Sequence, residues 1–370
     1  MQKLRLIQDT RQDVADTRNV SSDELALFPF PEGWYFVADR RSVEKKQLIQ
    51  KQWLGQDIVA WCDNEGAVCV AQSVCPHMGS SLGPAAGGRV RDGRLVCPFH
   101  GFAYDVAGTC VATPYADPPK SARLNVFHTR EVLGLIFAWW GLDGRPPQWS
   151  LPEEPATGDD WSGLEIRTLR FPGHPQETTE NSVDIAHLKY VHGYDNVNAV
   201  GSATVDGPLL VSRFDFKSRR RIAGHTAITY DFSVTAYVHG LGYSYVETLE
   251  RTIGMEIRLW VLATPVDGTF IDLVLASQVR DMRKPKQLIA GLGFLPVKLR
   301  TRILSKILIS MQKRDVLQDV VIWGRKSYRP HPSLCRSDGA IGKYRRYCRQ
   351  FYPDGHESGV SPRGRTGGSK

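Results

Sequence analysis

With 370 residues, 42% hydrophobic and 23% charged, the chain is large enough for two separately cored domains and is composed like an ordinary folded protein. Its formal charge of +8 reads as a basic, solvated surface, and the lack of any nucleic-acid-binding motif argues against a nucleic-acid partner. No run of about eighteen apolar residues occurs, so no membrane-spanning helix is expected, and an odd total of seven cysteines does not make a secreted disulfide framework.

Residues 1–32 read as an N-terminal extension; 1–16 are polar and charged, without the apolar core of a secretory signal. A cytoplasmic location is the expectation, with Cys62, Cys69, Cys110, Cys335 and Cys348 as reduced thiols. Residues 33–145 read as an all-β domain. Segments 58–61, 67–70 and 135–140 are strand-like, and Asp63, Asn64 and Gly66 separate the first two.

Inside this domain lie Cys75-Pro76-His77 and Cys97-Pro98-Phe99-His100, a C-x-H and a C-x-x-H separated by nineteen residues. Two thiolates and two imidazoles at this spacing are the ligand set of a Rieske [2Fe–2S] cluster, thiolates on one iron and imidazoles on the other. Zinc is the alternative occupant of such a donor set. Gly79, Gly83, Gly87, Gly88 and Gly101 follow the motifs, where backbone must come close to cluster sulfurs. Ser80 and Phe99 stand where respiratory Rieske proteins carry an extra disulfide, so the site resembles the lower-potential oxygenase and ferredoxin type. A cluster of this kind only relays electrons, and a basic surface suits an acidic electron carrier.

A proline-rich connector, 144–155, marks the domain boundary, and 146–353 form the second domain. Segments 226–250 and 255–280 are strand-rich, with Pro265-Val266-Asp267-Gly268 as a hairpin turn. A basic amphipathic helix is expected over 296–314, starting at Pro296. The wider stretch 288–311 reads as a surface helix and loop, or as a mobile cover or a surface that touches membranes. Residues 354–370 are Gly-, Ser- and Arg-rich and read as a disordered tail.

The second domain carries its own constellation, Glu180-Asn181-Ser182-Val183-Asp184-Ile185-Ala186-His187-Leu188-Lys189-Tyr190-Val191-His192. On a helix Glu180, Asp184 and His187 share a face, whereas His192 reaches the same metal only if the helix ends or bulges after His187; Gly193 suits such an end. Two histidines and one carboxylate with open positions bind Fe(II) for dioxygen chemistry. The carboxylate must come from elsewhere, and spacing leaves both Asp319 and Asp315 open.

Taken together, segments 75–83, 97–100, 114–116, 180–192, 318–323 and 350–352 resemble the oxygenase component of a Rieske non-haem iron oxygenase over 30–353. Within that group the chain resembles the 3-ketosteroid 9α-hydroxylase oxygenases and the Neverland-type cholesterol 7-desaturases. The resemblance implies an α+β fold: the N-terminal all-β Rieske domain, then a helix-grip (START-like) catalytic domain with a curved antiparallel sheet. It implies a cluster on Cys75, His77, Cys97 and His100, and Fe(II) on His187, His192 and Asp319, with Glu180 and Asn181 around that centre. It further implies a homotrimer in which Asp184 bridges His187 to His100 of the next chain. NAD(P)H electrons would enter through a separate flavin and ferredoxin-type reductase, since no nucleotide fingerprint is present. Dioxygen would be the oxidant, and hydroxylation or desaturation of a hydrophobic steroid-like substrate the outcome. An aromatic or alkaloid substrate is the second reading, and a non-catalytic electron-transfer or lipid-binding protein the third. Tyr230, Phe232, Tyr237, Tyr243 and Tyr245 are expected in the sheet core rather than on substrate.

Overall fold

The computed structural model describes residues 27–220, 228–282 and 294–353. The expected tail, most of the N-terminal extension, residues 226–227 of the strand region and 288–293 of the expected cover lie outside the described residues.

The first half is built from short antiparallel strands. A three-stranded sheet joins β1 (Gly33–Asp39), β9 (Thr129–Val132) and β10 (Leu135–Trp140), with β10 central. A second joins β2 (Leu48–Trp53), β3 (Gln56–Cys62) and β4 (Val68–Gln72), and α1 (Arg40–Lys46), capped by Asp39, connects β1 to it. A third joins β5 (Arg89–Arg91), β6 (Arg94–Val96), β7 (Ala103–Tyr104) and β8 (Cys110–Ala112). One cysteine–histidine loop links β4 to β5 and the other links β6 to β7. Both open on a core of Trp61, Leu82, Leu95, Phe102 and Tyr104, which also buries Cys75 and Cys97.

The second half is one large antiparallel sheet of long strands. Its members are β11 (Glu165–Pro172), β12 (Asp195–Ala199), β13 (Thr204–Asp206), β14 (Leu209–Arg220), β15 (Ile228–His239), β16 (Tyr243–Glu250), β17 (Met255–Pro265) and β18 (Phe270–Val279). The order is β11-β18-β17-β16-β15-β14-β12, with β13 beside β14. The β17–β18 hairpin turns where expected, with the Asp267 side chain accepting from the Thr269 and Phe270 amides.

Strand periodicity gives this sheet two apolar faces. On one, Tyr243, Tyr245, Trp260, Leu262 and Val274 pack against Trp34, Phe36, Phe137 and Trp139 of the first half. The buried Lys51 amine reinforces the junction, 3.7 Å from Asp272, which also takes Arg170 at 2.7 Å. The other face is covered by helices α2 (Pro175–Thr179), α3 (Ala186–Tyr190), α4 (Val297–Trp323) and α5 (Gly339–Cys348). Register thereby divides the five expected core aromatics. Tyr237, Tyr243 and Tyr245 face the first half, whereas Phe232 pairs with Phe216 and shares the helix-side parity of Val234, with Tyr230 two residues further on.

Two expectations about helices are corrected. Region 180–192 is not one helix. α2 gives way to a tight 3₁₀ turn, Glu180–Ser182, and α3 begins only at Ala186. The long helix does not stop near 314 but runs to Trp323, because Val316, Val320 and Trp323 extend its buried stripe over Phe171, Val261 and Leu273.

Candidate metal centres and active site

The two cluster loops are built alike. In the first, the Cys75 amide donates to Ser80 O at 2.9 Å and the Gly79 amide returns to Cys75 O at 2.9 Å. In the second, the Cys97 amide donates to Phe102 O at 2.8 Å and the Gly101 amide returns to Cys97 O at 3.1 Å. Each needs a left-handed residue four places after its cysteine, which Gly79 (φ 75°) and Gly101 (φ 71°) provide. The cysteines end up buried at 1% and 2% exposure, with the imidazoles further out. The His77 and His100 rings lie 4.8 Å apart, and His77 stacks on Phe102 at 4.2 Å.

A [2Fe–2S] group fits these donors. His100 Nδ1 is buried without a hydrogen-bond partner among the described residues, as expected of an atom reserved for a metal. The Tyr104 hydroxyl meets the Cys75 sulfur at 3.1 Å, a contact the sequence did not single out. Burial pushes the Cys75 thiol above its ordinary value, and this hydrogen bond works the other way.

The second centre joins two distant segments. α3 ends at Tyr190, and Val191, its amide still bonded to His187 O, leads to His192 beside His187 with ring centres 5.3 Å apart, after which the chain turns at Gly193 (φ 68°). Asp319 reaches them from α4, one turn before Trp323, which stacks on Phe171 at 5.8 Å and seats the helix end. One ligand atom from each of His187, His192 and Asp319 lies within 4.8 Å of the others, and His192 Nε2 is 3.4 Å from Asp319 Oδ2. Asp315, the other candidate, accepts the Tyr194 hydroxyl at 2.8 Å.

Fe(II) also fits this donor set. The second nitrogen of each imidazole is held by a neighbour, leaving Nε2 for a metal. His187 Nδ1 meets the main-chain carbonyl of Asp184, and His192 Nδ1 donates to Gln318 Oε1 at 3.0 Å. Gln318 carries no charge and was overlooked as a site residue; its place beside Asp319 was the only signal. Burial lowers the His187 pKa, with Asp319 and the Asp184 carbonyl opposing. At His192 burial also lowers, but the Asp319 and Gln318 contacts prevail and the net direction is upward.

Three expectations about the surroundings change. Within this chain Asp184 meets His187 through its carbonyl rather than its carboxylate. Glu180 is buried, but its carboxylate is taken by Arg345 at 2.7 Å and Lys326 at 3.2 Å, so it ties α5 and the end of α4 to the histidine segment instead of touching a ligand. Asn181 is half-buried on the same turn and makes no hydrogen bond to either histidine among the described contacts.

A Rieske-type pair of loops in front of a sheet-rich domain bearing two histidines and a carboxylate defines the oxygenase component of a Rieske non-haem iron oxygenase. Comparison with known proteins agrees. Residues 33–128 match the Rieske [2Fe-2S] domain, and 138–352 match the 3-ketosteroid 9alpha-hydroxylase C-terminal domain. The chain belongs to the Rieske oxygenase family that this C-terminal domain defines.

It is 28% identical to cholesterol 7-desaturase nvd 1 of Ciona intestinalis, across 88% of this chain and 69% of that one. It is 28% identical to the cholesterol 7-desaturase of Caenorhabditis elegans, across 88% and 77%. It is 26% identical to a Rhodococcus rhodochrous 3-ketosteroid-9-alpha-monooxygenase oxygenase component, across 88% and 83%. The fold is that of dicamba monooxygenase bound to 3,6-dichlorosalicylic acid (TM-score 0.64, 17% identity, 88% of this chain and 98% of that one). It is also that of Pseudomonas putida CBB5 NdmA with caffeine (TM-score 0.63, 18% identity, 85% and 89%).

The chain is therefore an oxidoreductase of the Rieske oxygenase family, with residues that suit a Rieske cluster and a non-haem iron. Among the described residues no helix is long and apolar enough to cross a membrane.

Proposed function

We propose that the chain hydroxylates or desaturates a sterol or steroid. One observation carries this reading. The full-length relatives are named for two different reactions, a desaturation and a monooxygenation, yet for substrates built on one fused-ring skeleton. The helix side of the sheet supports it. From His192 a run of half-buried rings follows, with Tyr194 stacked on Phe216 at 4.5 Å and Phe216 on Phe232 at 4.9 Å. Such a wall suits a flat apolar body beside the metal.

In this reading 33–145 and 146–353 are the two functional halves. Cys75, His77, Cys97 and His100 hold the cluster, and His187, His192 and Asp319 hold the iron. Bound there, the two groups supply electrons singly and activate dioxygen against a C–H bond. The protein's part is to hold both imidazoles in one tautomer through the Asp184 carbonyl and Gln318, and to keep the reacting carbon among apolar groups.

The reading includes a homotrimer with transfer between chains. Its support is that the Asp184 carboxylate has no hydrogen bond within the described residues, so it is available to His100 of a neighbour. Asp184→Asn is expected to leave both metals bound and nearly abolish coupled turnover; normal coupling in that variant would sink the bridge. A cytoplasmic location is supported by the five cysteines outside the cluster, Cys62, Cys69, Cys110, Cys335 and Cys348, none of which is in a disulfide. Peripheral membrane contact is supported by the outer face of α4, where Leu299, Ile307, Val321 and Ile322 are exposed among Arg302, Lys306 and Arg314.

The test is a single turnover of chemically reduced protein with dioxygen and a panel of sterols, ketosteroids and aromatics, read by mass spectrometry. A steroid product gaining one oxygen or losing two hydrogens is expected. Turnover of aromatics alone, with both centres loaded, would overturn the substrate class.

A further inference from the structure

The inner face of α4 is polar where an apolar seam would be expected. Along it Thr301, Ser305, Gln312 and Asp319 recur at helical spacing among Leu304, Ile309, Val316 and Trp323. Asp319 belongs to the candidate iron centre, but three other polar atoms at this seam have no hydrogen-bond partner among the described residues. Gln312 Oε1 and Ser305 Oγ on the helix, and Ser277 Oγ on the facing strand β18, are buried without a hydrogen bond. A buried amide oxygen or hydroxyl is normally satisfied, and leaving three open at one seam points to a ligand that satisfies one of them.

Gln312 is the best placed. It precedes Asp319 by seven residues, two turns, so both project from the same side of α4 about 10 Å apart along the axis. Val316 lies between them and packs on the sheet at Val261 and Leu273. The stretch thus runs from a metal-binding carboxylate, past apolar side chains, to one unpaired acceptor. The ligand it matches is rigid and apolar in its middle and carries a hydroxyl at one end.

We infer that Gln312 is the polar anchor of the substrate site: its amide oxygen accepts a hydrogen bond from a hydroxyl of a fused-ring lipid and thereby sets which carbon faces His187, His192 and Asp319. This rests on the sterol reading above and adds to it that the favoured substrate carries a free O–H remote from the oxidised carbon. Gln312 does not touch the reacting atoms, so its role is positioning and discrimination.

Equilibrium binding tests this, read by tryptophan fluorescence in the full-length, metal-loaded protein. The probes are cholesterol, its methyl ether, which keeps the oxygen but cannot donate, and cholest-5-ene, which lacks it. Cholesterol is expected to bind at least about tenfold tighter than either analogue. Gln312→Met is expected to weaken cholesterol to their level and leave theirs unchanged. Equal binding of all three lipids to the unaltered protein overturns the anchor whether or not the variant folds. So does a tenfold preference that survives in Gln312→Met, while the sterol reading stands in both cases. Failure of all three to bind the unaltered protein overturns the sterol reading and the anchor with it.

Discussion

The two candidate metal centres are held in place by different means. The cluster loops are stitched by their own main chains, each cysteine amide and each glycine amide bonded within six residues. The histidines of the iron centre also sit in a locally bonded turn, with the Val191 amide on His187 O and the Gly193 amide on Lys189 O, but the centre as a whole is not local. Its donors come from a broken helix and from the distant α4, and side chains from several elements hold them. Gln318 steadies His192, Tyr194 bonds Asp315, and Glu180 grips Arg345 and Lys326. The first centre therefore depends on a short stretch of backbone and the second on tertiary packing. Damage far from the ligands should reach only the second.

Asp319→Ala should separate the two centres most sharply. The mononuclear iron and all turnover are expected to be lost while the visible absorption of the cluster is unchanged. Joint loss of that absorption would show that the centres are not independent. Glu180→Gln is the next largest test. It leaves the part-buried Arg345 without its carboxylate, which should cost about 3 kcal/mol and lower the melting temperature. An unchanged melting temperature would mean that this network is not part of the frame.

Acid offers a subtler probe of the same half. His174 begins α2, accepting from the Gln176 amide through Nδ1 and donating from Nε2 to Phe28 O. The Nδ1 bond requires the neutral ring, and burial pushes its pKa down from 6.5 to about 4 although the bond to Phe28 O favours the proton. Because the unfolded chain binds this proton more readily, the contribution is complete above pH 6.5 and is lost as pH falls towards 4, by up to about 3 kcal/mol. Thermal unfolding between those limits should show the slope, and His174→Gln should flatten it. An equally steep slope in the variant would assign the acid sensitivity elsewhere. The smallest effect is expected from Gln318→Leu, about a 10- to 100-fold loss of iron affinity at the second centre alone, read by metal titration. Unchanged affinity would show that Gln318 does not steady His192.

The cluster motifs, the hairpin at Asp267 and the need for a break after His187 were all legible in the sequence, because each is decided by residues a few places apart. The break came earlier than expected as well, at 183–185, since Glu180 turns toward Arg345, which stands 165 residues away. Spacing left Asp315 and Asp319 open, because residues four apart share one helix face. Only the packed helix, with Trp323 on Phe171 and Tyr194 on Asp315, turns Asp319 to the histidines. The same holds for the aromatics of the sheet. Their strand propensity was evident, but which of two faces each occupies depends on a period of two residues and on what lies above and below.

The sequence by itself thus determined the chemistry available: which donors exist, in which loops, and that two metals are called for. The tertiary structure decided which carboxylate, which amide and which aromatic face meet those donors. That division has a physical cause. Turns and caps are closed by neighbouring residues, whereas a buried side chain is oriented by partners that the folded chain alone brings into contact.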